Sequence, residues 1–360
     1  MSKTVVLEEY AKRRSRRIGL VKKYGITALF LLPFLTAFIV FFLVPLFYGI
    51  YISLTEFKFS SPGTATFNNF KWYRILFDNS FYVINKLGKP SYFLNYYNNF
   101  WNSFKNTLIF SVIIIPIAII LPLGMAIIIN VKPPGFKLFR ALVYLPSIIP
   151  LSTSAIIFKM IFDRQSNGGI LANFFGLTSI EWFNHTTTLF GQQFDYSWIV
   201  IFCLCLWGGW GGNFLILSAG LQNVPKHLYE AAAIDGCSTW KRIMNITLPG
   251  IKPQLILCLF TTIIGYLGLY GQNFFLTSGG KGASTVPGGG STATIMYYIQ
   301  DLVDPNKTFN RENLQGLAAA ASIVFALIVG AISGIQMYLT SEKKTGTKIS
   351  EAYGKWQAIR

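Results

Sequence analysis

Residue types that catalyse reactions or bind metals are scarce in this chain of 360 residues. Its two histidines, His185 and His227, lie far apart in the sequence, and neither has a metal-ligand partner at a recognisable spacing. None of the 14 carboxylates falls within the long apolar stretches, where a proton- or ion-driven carrier needs ionisable groups. The sequence therefore disfavours both a membrane enzyme and a secondary pump.

A glycine-rich stretch, SGGKGASTVPGGGST at 278–292, superficially resembles a phosphate-binding loop. That loop reads G-x-x-x-x-G-K-[ST], whereas here Gly280-Lys281 is followed by Gly282, and no strand leads into it. We therefore expect a flexible loop at this position. No cofactor is expected to bind to this chain itself.

Ring and amide side chains interrupt a later apolar stretch, WGGWGGNF at 207–214. Trp207, Trp210 and Asn213 offer ring faces and an amide, which suit a neutral polyhydroxylated ligand. Glycines that loosen a helix near the membrane midplane are typical of a substrate site. The alternative is tight helix packing, because Gly208 and Gly212 form a small-xxx-small pair.

The elements that must position these residues are membrane-spanning helices. The chain is 52% hydrophobic and only 12% charged, with a mean hydropathy of +0.46. Its charge-free runs are mostly longer than the roughly 20 residues that cross a bilayer. The third run reaches that length through Lys159, whose side chain can extend to the membrane surface. We predict an all-α integral membrane protein with six spans, at about 26–52, 104–130, 140–162, 197–219, 254–276 and 314–339.

The distribution of basic residues predicts the orientation. With both termini in the cytoplasm, the inner segments hold 20 Lys and Arg residues and the longer outer segments hold 9. We therefore expect a transmembrane domain at 25–339 between cytoplasmic segments 1–24 and 340–360. The net charge of +17 does not indicate nucleic acid, because the basic residues are dispersed beside apolar spans in a lipid bilayer.

The inner loop 220–252 contains the charged segment EAAAIDGCSTWKRIMNITLPGIKP. Pro225 suits the first turn of a helix that runs to about Ile234, and Gly236 is placed for a left-handed cap. Ser238 can cap a second short helix, which we expect to stop at Leu248-Pro249. The sequence therefore predicts two short helices joined by a sharp corner.

One face of the second short helix is apolar, since Trp240, Ile243 and Met244 follow an i, i+3, i+4 spacing. Such a face on the cytoplasmic side suits docking into a groove of a partner protein. The alternative is a loop that lies on the lipid surface.

The same segment resembles the EAA signature of ATP-binding-cassette (ABC) importer permeases. The signature reads E-A-A-x3-G-x9-I-x-L-P, and each position is filled here. FLLPFLTAFIVFFLVPLFYGIYISL, NTLIFS, LPSIIPLSTSAIIFKMIF and LSAGLQNVP resemble the carbohydrate-uptake branch of that family, in the same order. The likeness covers nearly the whole chain. Its tail is similar to the maltose-F-like or glycerol-phosphate-A-like type of subunit.

This resemblance implies a type I ABC importer permease fold with cytoplasmic coupling helices. It implies a non-catalytic subunit in a bacterial plasma membrane, paired with a second permease subunit as a heterodimer. The other implied partners are two cytoplasmic ABC ATPase subunits, which use ATP and Mg²⁺, and an extracytoplasmic solute-binding protein. The residues expected to couple to the ATPase are Glu230, Ala231, Ala232, Asp235, Gly236, Leu248 and Pro249.

The resemblance also implies a sugar-contacting region in the fifth span. The whole candidate substrate path is then Trp207, Trp210, Asn213, Tyr266, Tyr270, Gln272 and Asn273. A sugar or oligosaccharide suits these side chains best. Lys105 and Lys159, near the outer ends of spans, leave a glycerol-phosphate-type or other small solute as one alternative. The other alternative is an ATP-independent carrier or channel.

The outer segments contain no cysteine, so disulfides are not expected. The largest of them, 55–102, leads into the aromatic stretch SYFLNYYNNFWNSF. We expect this stretch to lie along the membrane surface, where aromatic rings are favoured. A sugar-binding face is the alternative.

Overall fold

The computed structural model describes residues 24–25, 28–57, 65–84, 90–92, 94–162, 174, 181–183, 185–189, 192–281, 289–304 and 314–340. The predicted cytoplasmic segments 1–24 and 340–360 lie almost wholly outside these ranges. The described part is built from helices, as predicted.

Four helices are long and apolar enough to cross a membrane: α1 (Ala28–Ser53), α3 (Leu94–Asn130), α6 (Ser197–Gln222) and α12 (Gln315–Thr340). Two bent pairs raise the number of candidate spans to six if each pair is one span. They are α4 (Phe136–Tyr144) with α5 (Leu151–Phe162), and α8 (Thr239–Gly250) with α9 (Lys252–Leu267). The shorter helices are α2 (Lys71–Phe77), α7 (Lys226–Ile234), α10 (Gly271–Thr277) and α11 (Ile295–Val303).

Two of the predicted spans are broken helices. In the predicted span 140–162, α4 continues as a 3₁₀ turn to Ile148, and α5 then leaves at 97°. Ile149 is extended, with ψ of 131°, because the ring of Pro150 disfavours the helical conformation in the residue before it. The predicted span 254–276 is α9 and α10, separated by 268–270.

The segments predicted to be outer ones differ from the prediction in two ways. Two short antiparallel hairpins occur in them, β1 (Tyr82–Ile84) with β2 (Pro90–Tyr92) and β3 (Thr186–Leu189) with β4 (Gln192–Asp195). The aromatic stretch at 91–104 does not form a separate surface element. From Leu94 it makes the first turns of α3, where Phe100 is fully buried against Tyr298 of α11.

Prolines shape two helices through π turns. Residues Ile39–Leu43 of α1 and Ile243–Thr247 of α8 each form a π turn, and each turn is followed by one residue and then a proline. A proline ring inside a helix clashes with the carbonyl four residues earlier, and the wider turn relieves that clash. α8 therefore continues through Pro249, and the expected stop at Leu248-Pro249 is wrong.

The buried side chains form three clusters. The outer cluster joins α2, α3, α11 and α12, and the middle cluster joins α3, α5, α6 and α10. The inner cluster joins α3, α4, α6 and α9 around Phe214, Leu217 and Ile251. α1 stands apart from all three: its most apolar window has no buried residue, and it contacts α12 through Val44–Ser53.

Candidate functional site

The segment between α6 and α9, residues 225–251, forms two helices at a sharp corner, which we call the coupling corner. α7 begins directly after Pro225 and ends at Ile234, as predicted. Gly236 has φ of +67° and donates from its N–H to the Ala233 carbonyl at 3.2 Å. Cys237 donates in the same way to the Ala232 carbonyl at 2.9 Å. This pair of bonds is the Schellman cap, which confirms the left-handed corner at Gly236.

α8 starts on the other side of the corner, where the Ser238 hydroxyl accepts a hydrogen bond from the Lys241 N–H at 3.4 Å. The helix then passes through its π turn to Gly250 and bends by 72° at Ile251 into α9. The Val224 side chain lies against Gly250, 3.0 Å from where a Cβ would stand. The corner is therefore closed at its base, where its two ends meet.

The coupling corner exposes apolar side chains together with charged ones of both signs, Glu230 and Asp235 as well as Lys226 and Lys241. Ile234 is 87% exposed, Trp240 65% and Met244 41%. The sequence-predicted coupling residues divide between this surface and the interior. Glu230, Ala231, Asp235, Gly236 and Pro249 are exposed, Leu248 is half-buried, and Ala232 is buried.

A second region of interest lies midway along the long helices, where the two breaks meet. Leu151 begins α5 just after the first break, and its Cδ2 lies 2.6 Å from where a Cβ on Gly271 would stand. Gly271 begins α10 just after the second break. Ser147, just before the first break, packs as closely on Gly211 of α6. Broken helices that meet at mid-depth are typical of transporter substrate sites.

Three of the predicted path residues have internal roles in this region. Asn213 is buried and donates from Nδ2 to the Ala118 carbonyl and to Thr262 Oγ1, both at 2.9 Å. The Ala118 carbonyl needs a side-chain donor, because the residue four positions on is Pro122, which has no N–H. Asn213 thus supplies the hydrogen bond that Pro122 removes from α3, and it links α6 to both α3 and α9. The assignment of this amide to the substrate path stays a prediction.

Asn273 and Tyr266 are also engaged inside the bundle. Asn273 has no exposed surface, donates to the Thr292 carbonyl, and accepts from the Thr277 hydroxyl at 2.9 Å. It therefore anchors the chain entering α11. The Tyr266 hydroxyl donates to the Cys205 carbonyl at 3.3 Å and lies directly over Gly209. Glycine is needed there because a Cβ would meet that hydroxyl at 2.7 Å.

The other four predicted path residues are only partly covered. Trp207 packs its ring on Phe158 of α5 at 5.6 Å, and Tyr270 stacks on Phe274 at 5.4 Å. Gln272 is half-buried. The Trp210 indole N–H is buried without a hydrogen-bond partner among the described residues. These four side chains stay candidates for the path.

The glycine pair that could pack helices together does not do so within the described ranges. There, an added Cβ would meet nothing within 4 Å at Gly208 or at Gly212. Close packing falls instead on the neighbouring Gly209 and Gly211. Gly209 and Gly211 are thus covered on two different sides of α6, by Tyr266 and by Ser147, whereas the face that carries Gly208 and Gly212 is open among the described residues.

Neither histidine forms part of a reactive group in the described structure. The His185 ring packs on Tyr196 at 4.7 Å, and His227 is exposed at the start of α7. Within the described ranges, no group of three or more His, Cys, Asp or Glu side chains could hold a metal ion. All four cysteines are free thiols.

Comparison with known proteins finds relatives of this chain in both sequence and structure. An arabinooligosaccharides transport system permease protein, AraP, of Bacillus subtilis is 29% identical over 341 residues, which is 93% of this chain and 94% of that protein. A lactose transport system permease protein, LacF, of Rhizobium radiobacter is 31% identical over 66% of this chain and 75% of that protein. A crystal structure of a bacterial ABC transporter involved in the import of alginate contains a chain that superposes with a TM-score of 0.65 at 18% identity, over 91% of this chain and 99% of that chain.

The structural likeness shows that the fold is that of a type I ABC importer permease. Residues 118–345 match the family described as the inner membrane component of binding-protein-dependent transport systems. Members are non-catalytic permease subunits whose ATPase is a separate subunit. The long apolar helices and the capped corner at Gly236 are the features of this chain that agree with that description. The chain therefore belongs to the family of binding-protein-dependent transport system inner membrane components.

Proposed function

We propose that this chain is the membrane subunit of an ATP-driven importer for a neutral sugar or oligosaccharide. The observation that carries the proposal is the coupling corner, an exposed two-helix surface fixed by a glycine cap and closed at its base. A loop that merely rests on lipid needs neither device. The described spanning helices contain no Asp or Glu, so an internal proton or ion relay is not supported.

The partners in this proposal follow from the division of labour in the family. A second permease subunit completes the pathway, two cytoplasmic ATPase subunits bind ATP and Mg²⁺, and an extracytoplasmic binding protein delivers the solute. Glu230, Ala231, Asp235 and Gly236 contact the ATPase through their exposed side of the corner. The excess of basic residues in the inner segments supports a bacterial plasma membrane location with both termini in the cytoplasm.

The solute passes, in this proposal, beside the two meeting helix breaks. Trp207, Trp210, Tyr270 and Gln272 supply ring faces and polar groups, and the open glycine face of α6 leaves room for the ligand. Trp210 would contribute its half-buried ring rather than its indole N–H, which is buried inside the described part of the chain. Aromatic faces with a few polar groups are the lining that suits sugars.

A phosphorylated solute is the second candidate. The sn-glycerol-3-phosphate transport system permease protein UgpA of Yersinia pestis is 27% identical over 66% of this chain and 74% of that protein. Lys159 of α5 is exposed near the end of its helix and would supply the positive charge that a phosphate requires. Of the three permease relatives named above and here, two have names that give a neutral sugar and one has a name that gives a phosphate ester.

Reconstitution distinguishes these proposals. The chain is placed in liposomes alone, and also with its second permease, ATPase and binding protein, and uptake of arabinotriose, lactose, maltose and glycerol 3-phosphate is measured. We expect uptake of one neutral sugar by the full complex with ATP, and none by the chain alone. Uptake by the single chain without ATP would show an independent carrier or channel. ATP-dependent uptake of glycerol 3-phosphate alone would establish the second candidate.

A further inference from the structure

A chain of side-chain hydrogen bonds runs through the inside of the coupling corner. The Tyr229 hydroxyl of α7 lies 3.0 Å from Thr247 Oγ1 in the π turn of α8. Thr247 Oγ1 donates to the Arg242 carbonyl at 3.4 Å, and Arg242 Nε donates to the Cys237 carbonyl at 2.9 Å. We call Tyr229, Thr247, Arg242 and Cys237 the corner brace. It links both short helices to the turn between them.

Two bonds of the brace have a fixed direction, because the Arg242 and Cys237 carbonyls can only accept. In the contact between Tyr229 and Thr247 either hydroxyl can be the donor. Replacing either side chain by its counterpart without the hydroxyl therefore removes the same link.

Thr247 also connects the corner to the transmembrane bundle. Its backbone carbonyl accepts from the Ile251 N–H at 3.1 Å, and Ile251 stands at the 72° bend into α9 with no exposed surface. Ile251 belongs to the inner core cluster together with Leu217 and Cys258. A displacement of α7 can thus be transmitted to α9 through the hydrogen bonds of Tyr229 and Thr247.

We propose that Tyr229 and Thr247 are positioning residues, which make the corner and α9 move as one body during transport. The proposal rests on the function proposed above, because it assumes that the corner docks on an ATPase. Neither residue needs to touch that partner. Tyr229 is half-buried and Thr247 is buried, whereas the exposed side of the corner carries Glu230 and Trp240. Losing the hydroxyl contact leaves the docking surface in place but loosens its connection to the spans.

The test measures solute transported per ATP hydrolysed by the complete reconstituted complex, using whichever of arabinotriose, lactose, maltose and glycerol 3-phosphate the wild type takes up. Tyr229→Phe and Thr247→Val should each lower this ratio about fivefold, which corresponds to one net hydrogen bond. The double variant should be no worse than Thr247→Val alone, because that substitution already removes the link to Tyr229. ATPase co-purification should stay at the wild-type level.

Thr261→Val is the matched control, since its hydroxyl bonds only within α9, to the Leu257 carbonyl at 3.0 Å and the Cys258 carbonyl. It should leave the ratio unchanged. The proposal is overturned if Tyr229→Phe and Thr247→Val keep the wild-type ratio. It is also overturned if both lower membrane abundance, hydrolysis and transport together at a constant ratio, which a purely structural role would produce.

Two further variants separate this inference from the function on which it rests. Gly236→Val and Glu230→Ala change the corner's cap and its exposed surface. If they weaken ATPase co-purification while the brace variants transport normally, only the inference about the brace fails. If Gly236→Val and Glu230→Ala also behave as the wild type, the corner does not dock on an ATPase, and both proposals fail.

Discussion

Substitution of Gly236 tests whether the coupling corner depends on its backbone conformation. Its φ of +67° lies in the left-handed region, where a residue with a Cβ costs about 1–2 kcal/mol. An added Cβ there would meet no described residue within 4 Å, so steric contact with the described part of the chain adds nothing to that cost. Asparagine adopts this conformation more readily than other non-glycine residues. A β-branched residue does so least readily.

This difference predicts an order of effects at Gly236. A penalty of about 1–2 kcal/mol lowers the population of the capped corner roughly 5–30-fold relative to uncapped forms. The Ala232 and Ala233 carbonyls then lose the donors that end α7. We expect ATPase co-purification and solute-stimulated hydrolysis to be near the wild-type level in Gly236→Asn, reduced in Gly236→Ala, and lowest in Gly236→Val. Membrane abundance should change little, because Gly236 is exposed and outside the buried clusters.

All three variants are measured on the same membrane preparations, with abundance, ATPase co-purification and hydrolysis taken together. Equal losses in Gly236→Asn and Gly236→Val would mean that side-chain bulk on the docking surface, rather than backbone strain, causes the effect. Full coupling in Gly236→Val at normal abundance would refute the reasoning and leave this segment as a surface loop.

Three further substitutions test the middle of the bundle. Gly211→Ala should destabilise the protein by about 1–3 kcal/mol, because its Cβ would clash with the half-buried Ser147 hydroxyl, whereas Gly212→Ala opens into free space among the described residues and serves as the control. Equal melting temperatures would contradict this packing. Asn213→Ala should cost about 1–3 kcal/mol by leaving the Ala118 carbonyl unpaired, which thermal unfolding in detergent measures; an unchanged melting temperature would contradict that role. Tyr270→Ala should weaken sugar uptake with assembly and basal ATP hydrolysis intact, and normal uptake kinetics would place the path elsewhere.

The coupling corner could be predicted from the sequence because its determinants are local. Pro225, Gly236 and Ser238 each act on backbone groups within a few residues, and the structure has the helix start, the left-handed cap and the N-cap at those positions. The six apolar runs could be predicted equally well, since hydropathy depends on the composition of about 20 consecutive residues. The breaks within those runs could not be predicted from hydropathy, because a run that is apolar throughout has the same hydropathy whether its helix is straight or bent.

The role of Asn213 could not be predicted, because it depends on a residue far away in sequence. In the sequence, an amide within an apolar span has the same pattern whether it contacts a solute or bonds to a carbonyl that lacks its helical N–H partner because of a proline. Only the packing of α3 on α6 brings the Ala118 carbonyl to Asn213, 95 positions away. The path of α8 through Pro249 was missed for a similar reason. The rule that proline ends a helix holds for an α-turn, and a π turn before the proline avoids the clash.

The two candidate regions are connected by the helices that flank the corner. α6 leads into the corner and α9 leads out of it, and Asn213 bonds Thr262 to join these two helices midway along their length. At the base, Val224 meets Gly250, and Tyr229 meets Thr247. α6 and α9 are thus joined at two levels, at Asn213 and at the base of the corner. Between these two levels the helices cannot move apart when the corner rotates. The rotation must appear beyond Asn213, where α9 ends at Leu267 and the chain breaks before α10. That break lies beside Tyr270, so the point at which the helix is interrupted coincides with the proposed solute path.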